Sequence, residues 1–292
     1  MASRAGTDLP GFLIVGAMKS GTTSLFNWLG AHPGVFVPRV KEPSFFADER
    51  IWMRGLDWYR GLFEDATADQ LTGEASVIYT DPSRAVVAAS RIAHALPDVK
   101  LLFLVRDPIE RIRSHYRHEV LRGRERRSLR EALTDPGSAY ATRSLYFTCL
   151  HPYLVRFPKE QVCIVRSEKL FGADDDTWDG ILAFLGLAPR PRPSTHLNAS
   201  SGRDQFGPAM TVMWEAGLRR SPRWMPTSVR RALRPLLIRR RSSPLLETAA
   251  EPVPDSVALK VQEDLARLER WMEEDAAASP PMVGHRAGRS LG

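Results

Sequence analysis

The sequence predicts an α/β fold in which helices flank a central parallel sheet in three layers, followed by a mostly helical C-terminal region. Two observations lead to this fold class. Short apolar runs such as Val99–Val105 alternate with segments of helical spacing between residues 11 and 189, and this alternation is typical of parallel strands joined by helices. In addition, a glycine-bounded loop joins the first apolar run to the first helix.

The first strand and the first helix follow from local pattern. Phe12–Val15 is a short apolar run bounded by glycines, which predicts a buried parallel strand. Thr22–Leu29 carries Leu25, Trp28 and Leu29 on one helical face and ends before a His-Pro-Gly sequence, which predicts a helix. By the same patterns we predict strands at 35–37, 99–105 and 161–165, and helices at 57–63, 82–96, 107–121, 177–185 and 256–272.

The helix after Val99–Val105 has the clearest start signal. Asp107 is placed to be its N-cap, Pro108 takes the first helical position, and Glu110 is placed to complete a capping box. Arg111, Arg113 and Arg117 on this helix are expected to be solvated or to face an anionic acceptor.

The predicted domain limits follow the decay of the pattern. Residues 1–10 are expected to be a flexible N-terminus and 11–272 a single domain. Within it, 189–256 is irregular and basic and is a candidate lid, and 256–272 is a terminal helix. Residues 273–292 are expected to be a disordered tail.

The composition of the 292 residues is that of a soluble globular protein, with 43% hydrophobic and 26% charged residues. A net charge of +7 favours anionic ligands without choosing among nucleotide, nucleic acid, polysaccharide and membrane surface. Cys149 and Cys163 suggest neither a disulfide framework nor a metal site. Neither a signal peptide nor a membrane-spanning run is recognisable, so a cytoplasmic location is expected. The abundance of Arg, Ala and Pro suggests a bacterial source.

The loop from Gly16 to Thr23 predicts an anion-binding site. Gly16 and Gly21 keep the glycine spacing of a P-loop, but the lysine stands at Lys19 and Thr22 occupies the position after the second glycine. A strand, loop and helix in this order direct backbone N–H groups and the positive end of the helix dipole at one point. A nucleoside triphosphatase needs its lysine after the second glycine. We therefore expect a P-loop-like site that neutralises its ligand without a metal, and a metal-dependent nucleotide or small-molecule kinase with a variant loop is the alternative.

Together with a second motif, this loop resembles the sulfotransferases that use 3′-phosphoadenosine 5′-phosphosulfate (PAPS). The loop reads GAMKSGTTS over residues 16–24, and Arg106 and Ser114 stand eight residues apart in LLFLVRDPIERIRSHYRH. By this resemblance Arg106 and Ser114 bind the 3′-phosphate, and a surface ion pair is the alternative for Arg106. The residues implied for the 5′-phosphosulfate are Lys19, Ser20, Gly21, Thr22, Thr23 and Ser24.

Further stretches resemble the heparan-sulfate and bacterial type of this family more than the cytosolic phenol and steroid type. They are KEPSFF at 41–46, GLDWY at 55–59 and RSLY at 143–146. The resemblance implies that Glu42 is the catalytic base, and that Ser144 and Tyr146 contact the nucleotide. A carboxylate within reach of an alcohol can accept its proton during attack. Pairing of Glu42 with Lys41 or Arg39 is the alternative.

Glu74 is the rival carboxylate. It follows a predicted short strand and is a candidate either for the base or for orienting Lys19 or the acceptor. The animal heparan-sulfate enzymes have a lysine after this glutamate, whereas this chain has Ala75. That departure casts doubt on a polysaccharide acceptor. Among the histidines, His115 and His118 are expected to be exposed rather than to face the acceptor.

Two further segments are assigned more loosely. Residues 198–203 match the position of a third nucleotide-binding loop, in which Arg203 would close over the 3′-phosphate, and a plain loop is the alternative. Trp52, Trp58 and Tyr59 are candidates to line an acceptor pocket, and core packing is the alternative for Trp58 and Tyr59.

The resemblance implies an enzyme of the EC 2.8.2 class that moves the sulfuryl group of PAPS to a hydroxyl of a small-molecule, glycan or lipid acceptor. Transfer would be in line, with a glutamate base, with Lys19 stabilising the leaving phosphate, with 3′,5′-ADP as product and with no metal. The arginine-rich stretch 219–241 is either a solvated helical segment or a surface for an anionic, lipid-like or carrier-bound acceptor. No nucleic-acid recognition motif is present, and the oligomeric state is left open.

Overall fold

A five-stranded parallel sheet forms the centre of the computed structural model, which describes residues 9–173, 175–193, 205–206, 238–239 and 244–274. The strand order is β2-β3-β1-β4-β5, and every neighbouring pair is parallel. The strands are β1 (Phe12–Gly16), β2 (Val35–Phe36), β3 (Leu71–Ala75), β4 (Lys100–Val105) and β5 (Val162–Arg166). A separate antiparallel pair joins β6 (Gln205–Phe206) to β7 (Ile238–Arg239).

Helices connect the strands and continue beyond the last of them. They are α1 (Thr22–Gly30), α2 (Glu49–Trp52), α3 (Gly55–Arg60), α4 (Ala85–Ala95), α5 (Pro108–Leu121), α6 (Leu129–Ala132), α7 (Ala139–Thr142), α8 (Tyr146–Leu154), α9 (Ser167–Leu170), α10 (Asp176–Leu185), α11 (Pro244–Thr248) and α12 (Asp255–Glu273). No helix in the described ranges is long and apolar enough to cross a membrane.

The sheet separates two apolar layers. Leu13 and Val15 of β1 belong to one buried cluster, and Phe12 and Ile14 belong to the other, because successive side chains of a strand point to opposite faces. The first cluster includes buried residues of α4 and α8. The second includes buried residues of α1 and α10. The predicted α/β class, with helices on both faces of a parallel sheet, is therefore confirmed.

Two helix predictions differ from the structure for local reasons. Helix α4 begins at Ala85 rather than Pro82, because the Asp81 carboxylate accepts from the Ser83 N–H at 3.0 Å and forms a turn ahead of it. No helix is predicted from the sequence at 146–154, where α8 lies. Helix α8 contains Pro152, a residue that ordinarily argues against a helix interior.

The C-terminal helix α12 is fastened to α8. The buried Asp264 carboxylate of α12 accepts from the backbone N–H groups of Phe147 and Thr148 at 2.7 and 3.2 Å, so it caps the first turn of α8. In return, the Lys159 ammonium donates to the carbonyls of Trp271 and Met272 at 2.9 and 3.1 Å. These are the last carbonyls of α12, which a cation stabilises.

Several predictions fall on residues that the structure does not describe. They are the flexible N-terminus at 1–8, the third loop with Arg203, most of the basic stretch 219–241, and the tail at 275–292. The domain limits proposed for them stay predictions.

Candidate active site

Three neighbouring strands lead to the predicted phosphosulfate loop after β1, to Glu74 within β3 and to Arg106 after β4. Strand β1 lies between β3 and β4 and is parallel to both, so the carboxyl ends of all three meet at one edge of the sheet. In this strand order, the connection after β1 runs to one side of the sheet, toward β2, and the connection after β4 runs to the other side, toward β5; such a switch point is where open parallel sheets bind ligands. The Ala17 N–H donates to the Leu104 carbonyl at 2.9 Å, which joins the loop after β1 to the end of β4.

The loop from Ala17 to Gly21 leads into the N-terminus of α1, where the positive end of the helix dipole lies. Gly21 is the N-cap with φ 94°, no side chain caps the helix, and no acidic residue lies in its first turn. A Cβ at Gly21 would lie 2.3 Å from the Phe171 ring, so both conformation and space require glycine. The first N–H groups of a helix have no partner within it. Such a helix N-terminus is suited to an anion, and both the anion-binding role of the loop and its ligand stay predictions.

The Glu110 carboxylate, just after the end of β4, lies near the guanidinium groups of three arginines. Glu110 lies 3.6 Å from the Arg106 guanidinium, 3.0 Å from that of Arg113 and 3.8 Å from that of Arg117. The surface ion pair considered for Arg106 thus exists. It is long at 3.6 Å and the Arg106 side chain is 33% exposed, so the guanidinium is accessible to an anionic ligand.

The capping box predicted for α5 is only half correct. The Asp107 carboxylate accepts from the Glu110 N–H at 2.8 Å, as expected of an N-cap. The Asp107 N–H, however, donates to the carboxylate of Glu168 at 2.9 Å, because the Glu110 side chain is taken up by the arginines. A residue from the end of β5 therefore completes the cap.

The buried face of α5 carries Arg111, Ser114 and His115, which are 0%, 5% and 2% exposed. The expectation that Arg111 is solvated is wrong. Its Nε donates to the Ser144 hydroxyl at 2.6 Å and its Nη2 to the Tyr140 carbonyl at 2.5 Å. Helix α5 is therefore tied to the RSLY stretch through a buried guanidinium.

Tyr146 brings the two motifs together. Its side chain is fully buried, and its hydroxyl lies beside Ser20 of the loop and the backbone of Arg106. The geometry falls short of a hydrogen bond, and neither the Tyr146 hydroxyl nor the Ser20 hydroxyl has a partner among the described residues. Burial raises the pKa of Tyr146 to about 12, against the opposing charge of Arg111. Buried unpaired hydroxyls are costly, so these two are placed to bind a ligand group.

Glu74 lies within β3 rather than after it and is 0% exposed. Its carboxylate accepts from the hydroxyls of Tyr59 at 3.1 Å, Tyr79 at 2.6 Å and Ser76 at 2.9 Å. Burial raises the pKa of Glu74 to about 7, although these three hydrogen bonds oppose the shift and the charge of Glu42 adds to it. Glu74 is therefore a buried group whose carboxylate is already engaged by three hydroxyls.

Glu42 lies on an exposed loop close enough to Glu74 for its charge to act there. Its side chain is 37% exposed and pairs with Lys41 at 3.3 Å, which is the alternative considered for it. Glu42 and Ser44 both have φ 59°, a left-handed conformation that is uncommon outside glycine. The Ser44 N–H donates to the Ser76 hydroxyl at 3.0 Å. Ser76 also donates to Glu74, so it connects the loop of Glu42 to Glu74.

A cavity of about 430 Å³ lies beside Met18 of the loop. His115 lines it, and the expectation that His115 is exposed is wrong. Burial, followed by the charges of Arg111 and Arg143, lowers the pKa of His115 to about 2. It is therefore neutral near pH 7. Charged residues of both signs complete the lining, namely Glu119, Arg122, Arg124, Glu125, Arg127, Asp135 and Arg143.

The aromatic residues offered for an acceptor pocket pack instead against the core. Tyr59 is fully buried and stacks on Phe45 with ring centroids 4.5 Å apart. Trp52 and Trp58 lie 5.0 and 6.0 Å from the same ring. The core alternative is therefore correct for this group.

Sequence reasoning missed the hydrogen-bond partners of both buried charges. Nothing in the local pattern assigns Tyr79 and Ser76 to Glu74, apart from their nearness in the chain. The signal for Arg111 was present but unused, since Arg111 and Ser114 are three residues apart and share a helix face. In the described part of the chain, no group of three or more His, Cys, Asp and Glu is arranged to hold a metal ion.

Comparison with known proteins gives one consistent family. Residues 9–201 match the family described as "Sulfotransferase domain". Heparan sulfate glucosamine 3-O-sulfotransferase 5 of Mus musculus is 30% identical over 208 residues, which are 67% of this chain and 59% of that protein. Heparan sulfate glucosamine 3-O-sulfotransferase 3B1 of Mus musculus is 32% identical over 195 residues, which are 63% of this chain and 48% of that protein. The chain thus spans only 59% and 48% of the length of these two relatives.

A solved structure agrees with these relatives. The crystal structure of a sulfotransferase from Alicyclobacillus acidocaldarius matches with a TM-score of 0.56 and 32% identity, over 65% of this chain and 87% of that one. These proteins are sulfotransferases, so the comparisons give no support to the kinase alternative. The family match covers more than half of the chain and includes both predicted nucleotide motifs. The chain belongs to the sulfotransferase domain family.

Proposed function

We propose that this chain is an enzyme that transfers the sulfuryl group of PAPS to a hydroxyl group of a glycan acceptor. One observation carries the proposal. The end of β1 and the end of β4 are joined by a hydrogen bond from Ala17 to Leu104, and each leads into a region that offers donors to an anion, namely the N-terminus of α1 and the Arg106 guanidinium. A nucleotide with an anionic group at each end matches two such regions at one edge.

The donor nucleotide matches the donor groups of these two regions. The N–H groups at the start of α1, with Lys19, Thr22 and Thr23, are suited to the 5′-phosphosulfate. Arg106 with Ser114 is suited to the 3′-phosphate, because a guanidinium presents several donors to a dianion. Ser20 and Tyr146 have buried hydroxyls without partners in the described residues, and both lie between these regions. PAPS supplies the sulfuryl group in this proposal.

In the transfer, the acceptor oxygen forms a bond to sulfur while the bond between sulfur and the phosphate oxygen breaks. Glu42 accepts the proton of the attacking hydroxyl, and its exposure on the loop allows an acceptor to reach it. Lys19 offsets the negative charge that grows on the departing phosphate oxygen. The other residues hold the nucleotide in line with the acceptor.

Glu74 supports this reaction without being the base. It is 0% exposed, so an acceptor hydroxyl cannot approach it without displacing its neighbours. Through the Ser76 hydroxyl it fixes the Ser44 N–H, and thereby the loop that presents Glu42. We prefer Glu42 to Glu74 as the base because an acceptor can reach Glu42 but not Glu74.

A glycan is the acceptor class that we favour. The two Mus musculus relatives are named for heparan sulfate glucosamine. The cavity beside Met18 is lined by charges of both signs, and such a lining suits a hydroxyl-rich molecule carrying some charge. Ala75, where the animal enzymes have lysine, indicates that the contacts to this glycan differ from theirs.

The direct test is transfer of labelled sulfuryl from PAPS to a panel of heparan-type oligosaccharides, simple sugars and phenols. We expect labelled product with at least one glycan, and a rate lower by roughly 10²- to 10⁴-fold with the Glu42→Gln variant, which serves as the matched control. Labelling of phenols alone would contradict the glycan assignment. Absence of transfer to every acceptor, together with tighter binding of ATP-Mg²⁺ than of 3′,5′-ADP, would overturn the function.

Arg106→Ala tests the orientation of the nucleotide. We expect affinity for 3′,5′-ADP to fall by about tenfold to a hundredfold, since charge-assisted hydrogen bonds are lost. Adenosine 5′-phosphosulfate lacks the 3′-phosphate, so its affinity should change little. Calorimetric titration of both ligands measures this, and an equal loss for both would contradict the role given to Arg106.

A further inference from the structure

Arg111 is a buried cation without a counter-charge in the described residues. It is 0% exposed, and its two hydrogen bonds go to neutral groups, the Ser144 hydroxyl and the Tyr140 carbonyl. Its Nη1 has no hydrogen-bond partner, and no carboxylate of the described chain lies within ion-pair distance of it. A buried charge is expensive unless it is paired, so the free protein carries a cost here that a bound anion would relieve.

The position of Arg111 points to the region where that anion would lie. Ser114 is one helical turn further along the same buried face of α5. The charge of Arg111 acts on the Tyr146 hydroxyl, which in turn lies beside Ser20 and the Arg106 backbone. Arg111 is therefore next to the residues assigned to both ends of the nucleotide.

The charges around Arg111 also favour a bound anion. Arg143 is close enough to Arg111 to disfavour its charged form, so a second cation lies near the first. The Arg143 guanidinium pairs with Asp81 at 2.5 Å, but Arg111 has no such pairing. Burial lowers the pKa of Arg111 to about 10, which still leaves it charged at pH 7. The site thus holds a permanent positive charge beneath the surface.

We propose that Arg111 is a positioning residue for the nucleotide, whose buried charge acts from beneath Ser114 and Tyr146 as the counter-charge of the 3′-phosphate. The inference rests on the function proposed above. The charge separates this role from ordinary packing. The hydrogen bonds to Ser144 and Tyr140 hold the local structure in place, and a buried charge is not required for that.

The test compares two substitutions at Arg111 with two nucleotides. Arg111→Gln removes the charge and Arg111→Lys keeps it, while 3′,5′-ADP carries the 3′-phosphate and 5′-AMP does not. We expect Arg111→Gln to weaken 3′,5′-ADP by about tenfold or more, and 5′-AMP by less than about twofold. Arg111→Lys should keep most of the preference for 3′,5′-ADP. Arg113→Gln, two residues along on the Glu110 side of α5, is the control for loss of one arginine charge from this helix and should change the preference less than Arg111→Gln.

Each outcome decides between the role and its alternatives. If Arg111→Gln folds and keeps the wild-type preference, or weakens both nucleotides equally, the inference is overturned while the proposed function stands. If Arg111→Gln does not fold, Arg111→Lys decides, because an equal loss of both nucleotides there means that only the hydrogen-bond geometry matters. A wild-type protein that does not prefer 3′,5′-ADP to 5′-AMP would overturn the proposed function and the inference with it.

Discussion

Glu42 and Glu74 are two carboxylates at one edge of the sheet, and their surroundings differ in almost every respect. Glu42 lies on a loop with a left-handed backbone, 37% exposed and paired only with Lys41 among the described residues. Glu74 lies inside β3, 0% exposed, with three hydroxyl groups donating to it. A proton acceptor must be reachable, whereas a support must be fixed. The first description suits Glu42 and the second suits Glu74.

The two residues are nevertheless connected. Ser76 accepts from the Ser44 N–H on the loop of Glu42 and donates to Glu74. Glu74 thereby orients the Ser76 hydroxyl, and this hydroxyl holds the loop of Glu42 in place. Positive φ angles at Glu42 and Ser44 cost free energy, and this anchor is one contact that offsets the cost.

The largest expected effect comes from Glu42→Gln. Losing the proton acceptor should lower the transfer rate by roughly 10²- to 10⁴-fold, with little change in the affinity for 3′,5′-ADP, because Glu42 is assigned to the acceptor. Steady-state kinetics and calorimetry measure the two quantities. A rate within threefold of wild type would show that the roles of Glu42 and Glu74 are assigned the wrong way round.

Glu74→Gln should lower the transfer rate by about tenfold, since the amide keeps the size of the carboxylate but binds the three hydroxyls less well. The same assay serves, with Glu42→Gln in parallel. A loss as large as that of Glu42→Gln, with nucleotide affinity intact, would make Glu74 the base.

Glu74 also predicts a pH dependence of stability. Its folded pKa of about 7 exceeds the ordinary value of 4.5, so its contribution is fully present below pH 4.5 and is lost as the pH rises through about 7. A shift of this size corresponds to about 3 kcal/mol. The free energy of unfolding of wild type relative to Glu74→Gln should therefore fall between pH 5 and pH 8, as urea titrations can measure. A difference that is constant across this range would contradict the raised pKa.

Ser76→Ala should have the smallest effect. It removes the anchor between the two glutamates but leaves Tyr59 and Tyr79 on Glu74, so we expect the rate to fall by about three- to tenfold, through misplacement of Glu42. Nucleotide affinity should not change. If the rate is unaffected, the connection between the two carboxylates has no functional weight.

The sequence predicted the parts of the fold that are coded by short patterns. The apolar run before Arg106, the glycine spacing around Lys19 and the stop at Gly186 are local, and each corresponds to an observed element. Patterns of this kind predict four of the five parallel strands with their ranges, and the family follows from the resemblance of the motifs around Lys19 and Arg106. The cytoplasmic location and the assignments of individual site residues stay predictions.

What the sequence did not reveal depends on contacts between distant segments. Three such features join elements from separate segments of the chain. They are the completion of the α5 cap by Glu168, the burial of Arg111, and the hydrogen bonds from Tyr79 and Tyr59 to Glu74. Exposure of a charged residue depends on which helix face turns inward. A periodic pattern dominated by arginine hides that face, which is why Arg111 and His115 were expected at the surface.

The contact between Asp264 and the start of α8 reaches beyond the segment that defines the family. The family match ends at residue 201, yet the carboxylate that locks the first turn of α8, directly after Tyr146, comes from residue 264. A gene fragment that ended with the family match at residue 201 would encode a chain without this helix cap. Any transplant of the nucleotide site into another scaffold must therefore bring the last helix with it.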